Sequence, residues 1–255
     1  MSITILLFIY EVLFGLALLL YIPKYIWQGK FSPKAFIRRF SFFSFESEDK
    51  ESIWIQAVSV GEVLAVKKLV NQLRQRSSLR LVLSSTTLSG YKVAVKHFAP
   101  DVFVFFFPFD FTFVLKRVIK KVKPKVFVSI ETEIWPNLYY QLKQKAVPTI
   151  ILNGRVSDEA YRRYRAVKFI VKKILSLCSY IGVQNEDYRQ KFISLGAPPQ
   201  IVCITGNIKF DSLESSKESE DKFNAKYAAL LKKDSDLLLI AASTHRPEEK
   251  IILDI

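Results

Sequence analysis

Short runs of β-branched and aromatic residues alternate with helix-like segments from Ile53 onward, and this alternation limits the fold more than any other feature. Strands that are apolar along their whole length and separated by helices are typical of a parallel sheet covered on both faces. We therefore predict an α/β fold with a Rossmann-like parallel sheet over residues 53–211. The predicted strands are 53–58, 80–84, 102–107, 126–130, 148–152, 180–183 and 201–205.

The segment 112–122 is the clearest predicted helix between these strands. Its apolar residues form one stripe, and its lysines and single arginine occupy the opposite face. Pro124 follows, and proline ends a helix because it lacks the backbone N–H and fixes φ.

A nearly continuous apolar run covers residues 3–22, about the 20 residues that a helix needs to cross a membrane. Glu11 interrupts it at a cost of roughly 2.5–3.5 kcal/mol on insertion scales. Basic residues follow with no acid before Glu46, which keeps the downstream side in the cytoplasm. We predict a membrane-anchor helix over 1–23, spanning or half-inserted, and a basic juxtamembrane segment over 24–52. A buried helix of a soluble fold is the alternative.

Charge and composition restrict the partners. The net charge of +14 favours an anionic ligand or an acidic lipid surface. Nucleic acid is not expected, because no recognition motif is present and an anchor fits poorly with it. Two cysteines, Cys178 and Cys203, exclude a disulfide-stapled scaffold and a multi-cysteine zinc module. We expect both to be buried, reduced and inert.

The composition changes after residue 211. Residues 212–236 are polar and charged, which predicts a linker. Residues 237–241 then have the composition of a strand, and a helix begins near Glu249. We interpret 237–255 as the start of a second Rossmann-like domain and expect the chain to be a fragment or a truncated product.

Polar residues follow the predicted strands, and in open α/β sheets ligands bind at the carboxyl ends of the strands. Together these residues could hold a polyhydroxylated, negatively charged ligand. A glutamate placed like Glu62 near a helix start is, on its own, more often a helix-dipole partner than a base. The alternative for Glu131 and Glu133 is that they are solvated or ion-paired. Glu131 and Glu133 would share one side of an extended segment, and their repulsion would raise one pKa. The candidates are Ser59, Gly61, Glu62, Thr86, Thr87, Ser89, Gly90, Asp110, Glu131, Glu133, Asn137 and Arg155.

Eight ordered motifs in this chain resemble the 3-deoxy-D-manno-octulosonic acid (Kdo) transferases of lipopolysaccharide biosynthesis. They run from about residue 54 to 245, and their joint order is far more specific than any one of them. The motifs are AVSVGE (57–62), TTLSG (86–90), PFD (108–110), ETEIWPN (131–137), LNGRVSD (152–158), VQNEDYRQKFISLGA (183–197), TGNIKFD (205–211) and AASTH (241–245).

The resemblance implies the N-terminal half of a GT-B glycosyltransferase that moves Kdo from CMP-Kdo to the lipid A precursor. Transfer in this family proceeds with inversion, without a metal or other cofactor, on the cytoplasmic side of the bacterial inner membrane. The partners it implies are the lipid A precursor, CMP-Kdo and inner-membrane lipid. The alternative is a truncated, inactive module that binds the acceptor lipid or the membrane surface.

The resemblance also implies residue roles. Glu62 is the candidate base and Glu131 the second catalytic carboxylate, with the other strand-end residues binding the acceptor. Arg155 and Lys209 are anion contacts, and Lys209 is placed on the donor side. The chain departs from the family after AASTH, where Arg246 and Pro247 replace an acidic residue and glycine, and most of the donor domain is missing. The other donor-side residues are Ser243, Thr244 and His245.

Overall fold

A computed structural model describes residues 2–27, 32–43, 50–212, 241, 244 and 246–254. The chain divides into two compact units, Met1–Ser212 and Leu213–Ile255. The predicted linker at 212–236 and the strand at 237–241 lie almost entirely outside the described residues. In the second unit, the helix Glu248–Leu253 begins one residue before the position that the sequence predicts.

Within the described part of the first unit, seven strands form one parallel sheet in the order β3-β2-β1-β4-β5-β6-β7. This confirms the predicted Rossmann-like class, and each predicted strand overlaps an observed one. The chain reverses its direction of winding between β1 and β4, and crevices for ligands open beside such a switch point. The strands are β1 Ser52–Gln56, β2 Arg80–Ser85, β3 Phe103–Phe106, β4 Pro124–Ile130, β5 Thr149–Gly154, β6 Tyr180–Val183 and β7 Val202–Ile204.

Helices connect the strands and cover both faces of the sheet. The amphipathic helix predicted at 112–122 has those same bounds. Lys123 ends it in the left-handed conformation, with φ of 47°, and β4 starts at Pro124. The helices of the first unit are α1 Ile3–Trp27, α2 Pro33–Arg38, α3 Val60–Ala65, α4 Lys67–Arg76, α5 Leu88–Phe98, α6 Thr112–Val122, α7 Pro136–Gln144, α8 Asp158–Ala166, α9 Lys168–Leu175 and α10 Glu186–Ser194.

The core lies on both faces of the sheet because alternate residues of each strand point to opposite sides. Trp54 and Phe127 are fully buried on one face, with their rings edge to face and 5.0 Å between centroids. Ile53 and Ile55 pack under the helices of the other face. The centre of the sheet is thus a rigid base for the loops at its carboxyl edge.

Helix α1 is joined to the domain through Glu11, the acid that interrupts its apolar run. The Glu11 carboxylate accepts hydrogen bonds from the backbone N–H of Thr112 at 2.9 Å and from its hydroxyl at 3.1 Å. Thr112 is the first residue of α6, where a backbone N–H has no partner within the helix and a negative charge is favourable. This contact offsets the cost of a carboxylate among apolar residues.

The outward face of α1 is apolar and exposed. Phe8, Leu13, Leu16, Leu19 and Leu20 are each between 52% and 78% accessible. The segment Ile3–Pro23 is long and apolar enough to cross a membrane by length and composition, and little of it is buried in the protein. One face of α1 therefore binds the domain, while the other presents a continuous apolar surface.

The two cysteines differ in their surroundings. Cys178 is buried, and this burial raises the pKa of its thiol to about 12, as an inert residue requires. Cys203 lies in the edge strand β7 and is only half-buried, so the expectation of full burial was wrong for it.

Candidate active site

Glu62 stands at the start of α3, directly after β1. Ser59 is the N-cap of α3, and its hydroxyl accepts a hydrogen bond from the Glu62 N–H at 3.3 Å. In return the Glu62 carboxylate accepts from the Ser59 hydroxyl and from the Val58 N–H, both at 2.8 Å. This reciprocal pattern resembles a capping box, and it holds the carboxylate in one position.

The environment of Glu62 makes it a stronger base than an exposed carboxylate. Burial raises its pKa and the charge of Glu131 raises it further, while the hydrogen bonds from Val58 and Ser59 lower it in part. A general base is most effective when its pKa approaches the working pH. Glu62 therefore combines a fixed position with raised basicity.

Glu131 follows β4 in an unusual backbone conformation. Its φ is 59°, as is that of Asn153 at the end of the neighbouring strand β5, and residues in this left-handed region often mark functional sites. The Glu131 carboxylate accepts from the Lys209 ammonium at 3.2 Å. The predicted anion contact Lys209 thus lies beside the second predicted carboxylate.

Glu62, Glu131 and Glu133 line one cleft of about 280 Å³ together with Arg155. The expectation that Glu131 and Glu133 face the same cleft agrees with this geometry. Burial, followed by the negative charge of Glu62, raises the pKa of Glu133 to about 7. The cleft therefore holds a carboxyl group that is half-protonated near neutral pH.

We expect Glu133→Gln to remove part of the pH dependence of stability. The folded protein keeps a proton on Glu133 up to about pH 7, whereas the unfolded chain releases it near 4.5. The folded state therefore binds more protons between these values, and stability falls as pH rises through them. The loss is on the order of 3 kcal/mol, since the two pKa values differ by about 2.5 units and one pKa unit corresponds to about 1.4 kcal/mol. Urea unfolding at several pH values measures it.

The exposed acid Glu159, which pairs with Arg163 on α8, supplies the matched control. Glu159→Gln should leave the pH curve of the wild type unchanged, because a surface ion pair contributes little. Parallel curves for Glu133→Gln and the wild type would contradict the raised pKa of Glu133.

The TTLSG motif is bound tightly to the turn that carries Glu62. The Thr87 N–H, the Thr87 hydroxyl and the Ser85 hydroxyl donate to the Val58 carbonyl, at 3.2, 2.9 and 3.1 Å. Thr87 also caps α5 by accepting from the Gly90 N–H at 3.0 Å. A Cβ at Gly90 would collide with the Ser85 hydroxyl oxygen and lie 2.9 Å from the Thr87 hydroxyl oxygen and 3.0 Å from the Val58 carbonyl oxygen, so a larger residue would force this turn to shift.

The other predicted acceptor residues of these turns are more accessible. Gly61 faces open space, since a Cβ there would meet no atom nearer than 3.9 Å. Ser89 is exposed in the first turn of α5. Thr86 is half-buried, and its hydroxyl accepts from the Gln56 amide at 2.9 Å. The missing side chain of Gly90 therefore allows two segments of the fold to pack closely. The missing side chain of Gly61 instead leaves room for a ligand.

Asp110 and Asn137, predicted as acceptor contacts, are completely buried and do not line the cleft. The Asp110 carboxylate accepts from the backbone N–H groups of Asn137 and Leu138, at 3.1 and 2.9 Å, and so caps α7. The Asn137 amide donates to the Asp110 carbonyl at 2.6 Å. Burial raises the pKa of Asp110 to about 7. The structure gives both residues a supporting position instead.

Tyr164 on α8 and Thr132 also line the cleft, although neither was predicted. The Thr132 hydroxyl bonds to the backbone of Arg155, accepting from its N–H at 3.1 Å and donating to its carbonyl. Burial, followed by the charge of Glu133, raises the pKa of Tyr164. Tyr164 lies four residues after Ala160, another residue of the cleft. This helical spacing is the sequence signal that could have predicted Tyr164.

The remaining donor-side predictions fall in the second unit. The Thr244 hydroxyl donates to the Glu249 carboxylate at 3.1 Å, whereas Ser243 and His245 lie outside the described residues. Among the residues that the structure describes, no group of three or more histidine, cysteine or acidic side chains is arranged to hold a metal ion.

Comparison with known proteins finds a family profile and several curated relatives that are similar to this chain. A family profile described as 3-deoxy-D-manno-octulosonic-acid transferase (kdotransferase) matches residues 34–212. A 3-deoxy-D-manno-octulosonic acid transferase of Haemophilus influenzae is 37% identical over 204 residues, which are 80% of this chain and 47% of that protein. A bifunctional glycosyltransferase/methyltransferase of Fusobacterium nucleatum is 35% identical over 250 residues, 96% of this chain and 38% of that protein.

Two further facts qualify these similarities. The chain spans about half the length or less of these two curated relatives. Among solved structures, the S. aureus MnaA-UDP co-structure superposes with a TM-score of 0.51 over 70% of this chain and 50% of that chain. Its sequence identity is 14%, so it shows a shared fold alone.

Proposed function

The chain belongs to the 3-deoxy-D-manno-octulosonic acid transferase family, and on that premise we propose that it is the acceptor-binding half of an inverting Kdo transferase. In this proposal the donor is CMP-Kdo and the acceptor is the phosphorylated glucosamine disaccharide of the lipid A precursor. The observation that carries the proposal is the cleft at the carboxyl edge of the sheet. There Glu62, fixed by its capping hydrogen bonds, faces Glu131 and Glu133.

The proposed reaction is a direct displacement. An acceptor hydroxyl attacks the anomeric carbon of Kdo while the bond from that carbon to the CMP phosphate breaks and the electron pair leaves with CMP. Glu62 takes the proton of the attacking hydroxyl as the general base. Glu131 orients the acceptor, and Lys209 balances the charge of Glu131. Arg155 supplies a positive charge for an acceptor phosphate. We expect no metal in this scheme.

A place at the inner membrane, with the cleft on the cytoplasmic side, is part of the proposal. The exposed apolar face of α1 supports it, because such a surface is stable against lipid rather than water. The net charge of +14 supports it too, since positive charge attracts both anionic headgroups and acceptor phosphates. An acceptor that resides in the bilayer requires an enzyme at the same surface.

We expect the chain to bind the lipid A precursor and to transfer Kdo when a donor half is supplied. Binding and transfer are measured for the chain alone and for an extended protein, in which the chain is followed by the unmatched C-terminal part of the Haemophilus influenzae relative. Transfer by the chain alone would reject the binding-only alternative. Failure of both proteins to bind the acceptor would reject the proposal.

A further inference from the structure

An apolar groove of about 360 Å³ separates α1 from α2 and the carboxyl ends of β2 and β3. One side comes from residues of α1 spaced three and four apart, including Phe14, Ala17 and Leu18, which therefore share one helix face. Ala35 and Phe36 of α2 form the opposite side, and Phe106 and Phe109 form the base. This α1–α2 groove is distinct from the carboxylate cleft.

The groove reaches the turn that holds Glu62. Thr86 and Leu88 line it, and Thr87 between them donates to the Val58 carbonyl. The N–H of the same Val58 donates to the Glu62 carboxylate. One end of a molecule bound in the groove would therefore lie beside the turn that carries Glu62, the proposed base.

The polar end of the groove is positively charged. The Arg39 guanidinium lines it, lies 5.4 Å from the centre of the Phe109 ring and donates to the Thr86 carbonyl. Lys34 and Arg38 are exposed on the same helix α2, and no acid is present among the described residues of the lining. An apolar channel with the Arg39 guanidinium in its lining and further cations exposed on the adjoining helix complements an amphiphile with a hydrocarbon chain and an anionic head.

We propose that the α1–α2 groove binds one acyl chain of the phosphorylated glycolipid acceptor and so positions its sugar hydroxyl at Glu62. This inference rests on the proposed function, because the occupant is the acceptor of that reaction. The outward face of α1, marked by Leu16 and Leu20, contacts bulk lipid. The inward face holds the substrate chain, so α1 has two different lipid contacts.

The first test fills the groove with a tryptophan side chain and measures the affinity of the protein for acceptor analogues. Acceptor analogues share one phosphorylated glucosamine disaccharide and carry no acyl chain or chains of increasing length, and the full chain is held in phosphatidylglycerol nanodiscs. Partition of each analogue into protein-free nanodiscs is subtracted. We expect the wild type to bind longer chains more tightly, by less than the roughly fourfold per methylene of transfer from water, because the bilayer competes for the chain. Ala35→Trp and Ala17→Trp should abolish this dependence on chain length and leave the affinity for the deacylated disaccharide unchanged.

Ile37→Trp and Leu16→Trp are the matched controls, because both place the same indole on exposed positions of α2 and α1. They should retain the chain-length dependence of the wild type. If the groove variants also retain it, the groove does not hold the chain. If the wild type binds neither the deacylated disaccharide nor any acylated form, the proposed function itself fails, which is a different outcome.

Photo-crosslinking identifies the molecule that is bound in the α1–α2 groove of the wild-type protein. The result does not depend on whether the variants fold. An acceptor with a diazirine at the end of its acyl chain should label the groove residues Phe36 and Leu18. Phosphatidylglycerol with the same diazirine should label the outer residues Leu16 and Leu20. Equal labelling of the groove by phosphatidylglycerol would overturn the proposal, and so would acceptor labelling of the outer face alone.

Discussion

Glu62→Gln should slow Kdo transfer by the extended protein about 100- to 10,000-fold, the range expected for loss of a general base. Glutamine has nearly the same shape, and its amide oxygen can still accept the Val58 hydrogen bond that the carboxylate accepts at 2.8 Å. It cannot take a proton from the acceptor hydroxyl. The turn should therefore stay folded, and the affinity for the acceptor should stay close to that of the wild type. Steady-state transfer rates and acceptor binding measure the two effects separately.

Ser59→Ala separates the capping role of this turn from the proposed chemistry. It removes the hydroxyl that caps α3 and keeps the carboxylate, so it should cost about 0.5–2 kcal/mol of stability and far less activity than Glu62→Gln. Transfer by Glu62→Gln at a rate near that of the wild type would remove Glu62 from the role of base.

Asp110→Ala should destabilise the first unit by roughly 2–6 kcal/mol. Its carboxylate accepts hydrogen bonds from two buried backbone N–H groups, those of Asn137 and Leu138. Each buried donor left without an acceptor costs about 1–3 kcal/mol. The variant also loses the hydrogen bond between Asp110 and Tyr10 of α1. Urea unfolding measures the change in the free energy of unfolding.

Two variants serve as controls for this loss. Asp101 forms an exposed ion pair with Arg74, so Asp101→Ala should change stability by less than about 1 kcal/mol. Asp110→Asn keeps one acceptor oxygen and should fall between the wild type and the alanine variant. Equal stability of Asp110→Ala and Asp101→Ala would contradict the capping role.

Local patterns predicted the architecture well because period and composition report directly on secondary structure. The bounds of α6 followed from the stripe of apolar residues and from Pro124, and the strands followed from β-branched and aromatic runs. The meeting of Glu62 and Glu131 in one cleft followed from the rule that strand ends share an edge. The proposed chemistry at these residues stays a prediction.

Pairings between distant residues were not accessible to the same reasoning. Glu11 meets Thr112 across 101 positions, and Lys209 meets Glu131 across 78. Periodicity contains no information about such partners. For this reason the sequence predicts only that Glu11 interrupts an apolar run, whereas in the structure it caps α6.

The hydroxyl and amide groups at the strand ends show a second limit. The sequence places Thr87, Asp110 and Asn137 where a ligand could bind, but their polar atoms are used to hold turns and helix starts. A polar residue at a strand end can serve either the fold or a ligand, and only its hydrogen-bond partners decide between them. Hydrogen bonds at a helix start occupy the hydroxyl of Thr87, and hydrogen bonds of the same kind fix the position of Glu62.

Under the proposed location at a membrane, the contact between Glu11 and Thr112 has a mechanical consequence. A protein on a flexible tether samples many heights above the lipid surface, whereas these two hydrogen bonds fix α6, and with it the sheet, at a set depth relative to α1. The reacting groups would then meet a sugar that protrudes by a defined distance, so headgroup length would become a criterion for choosing substrates.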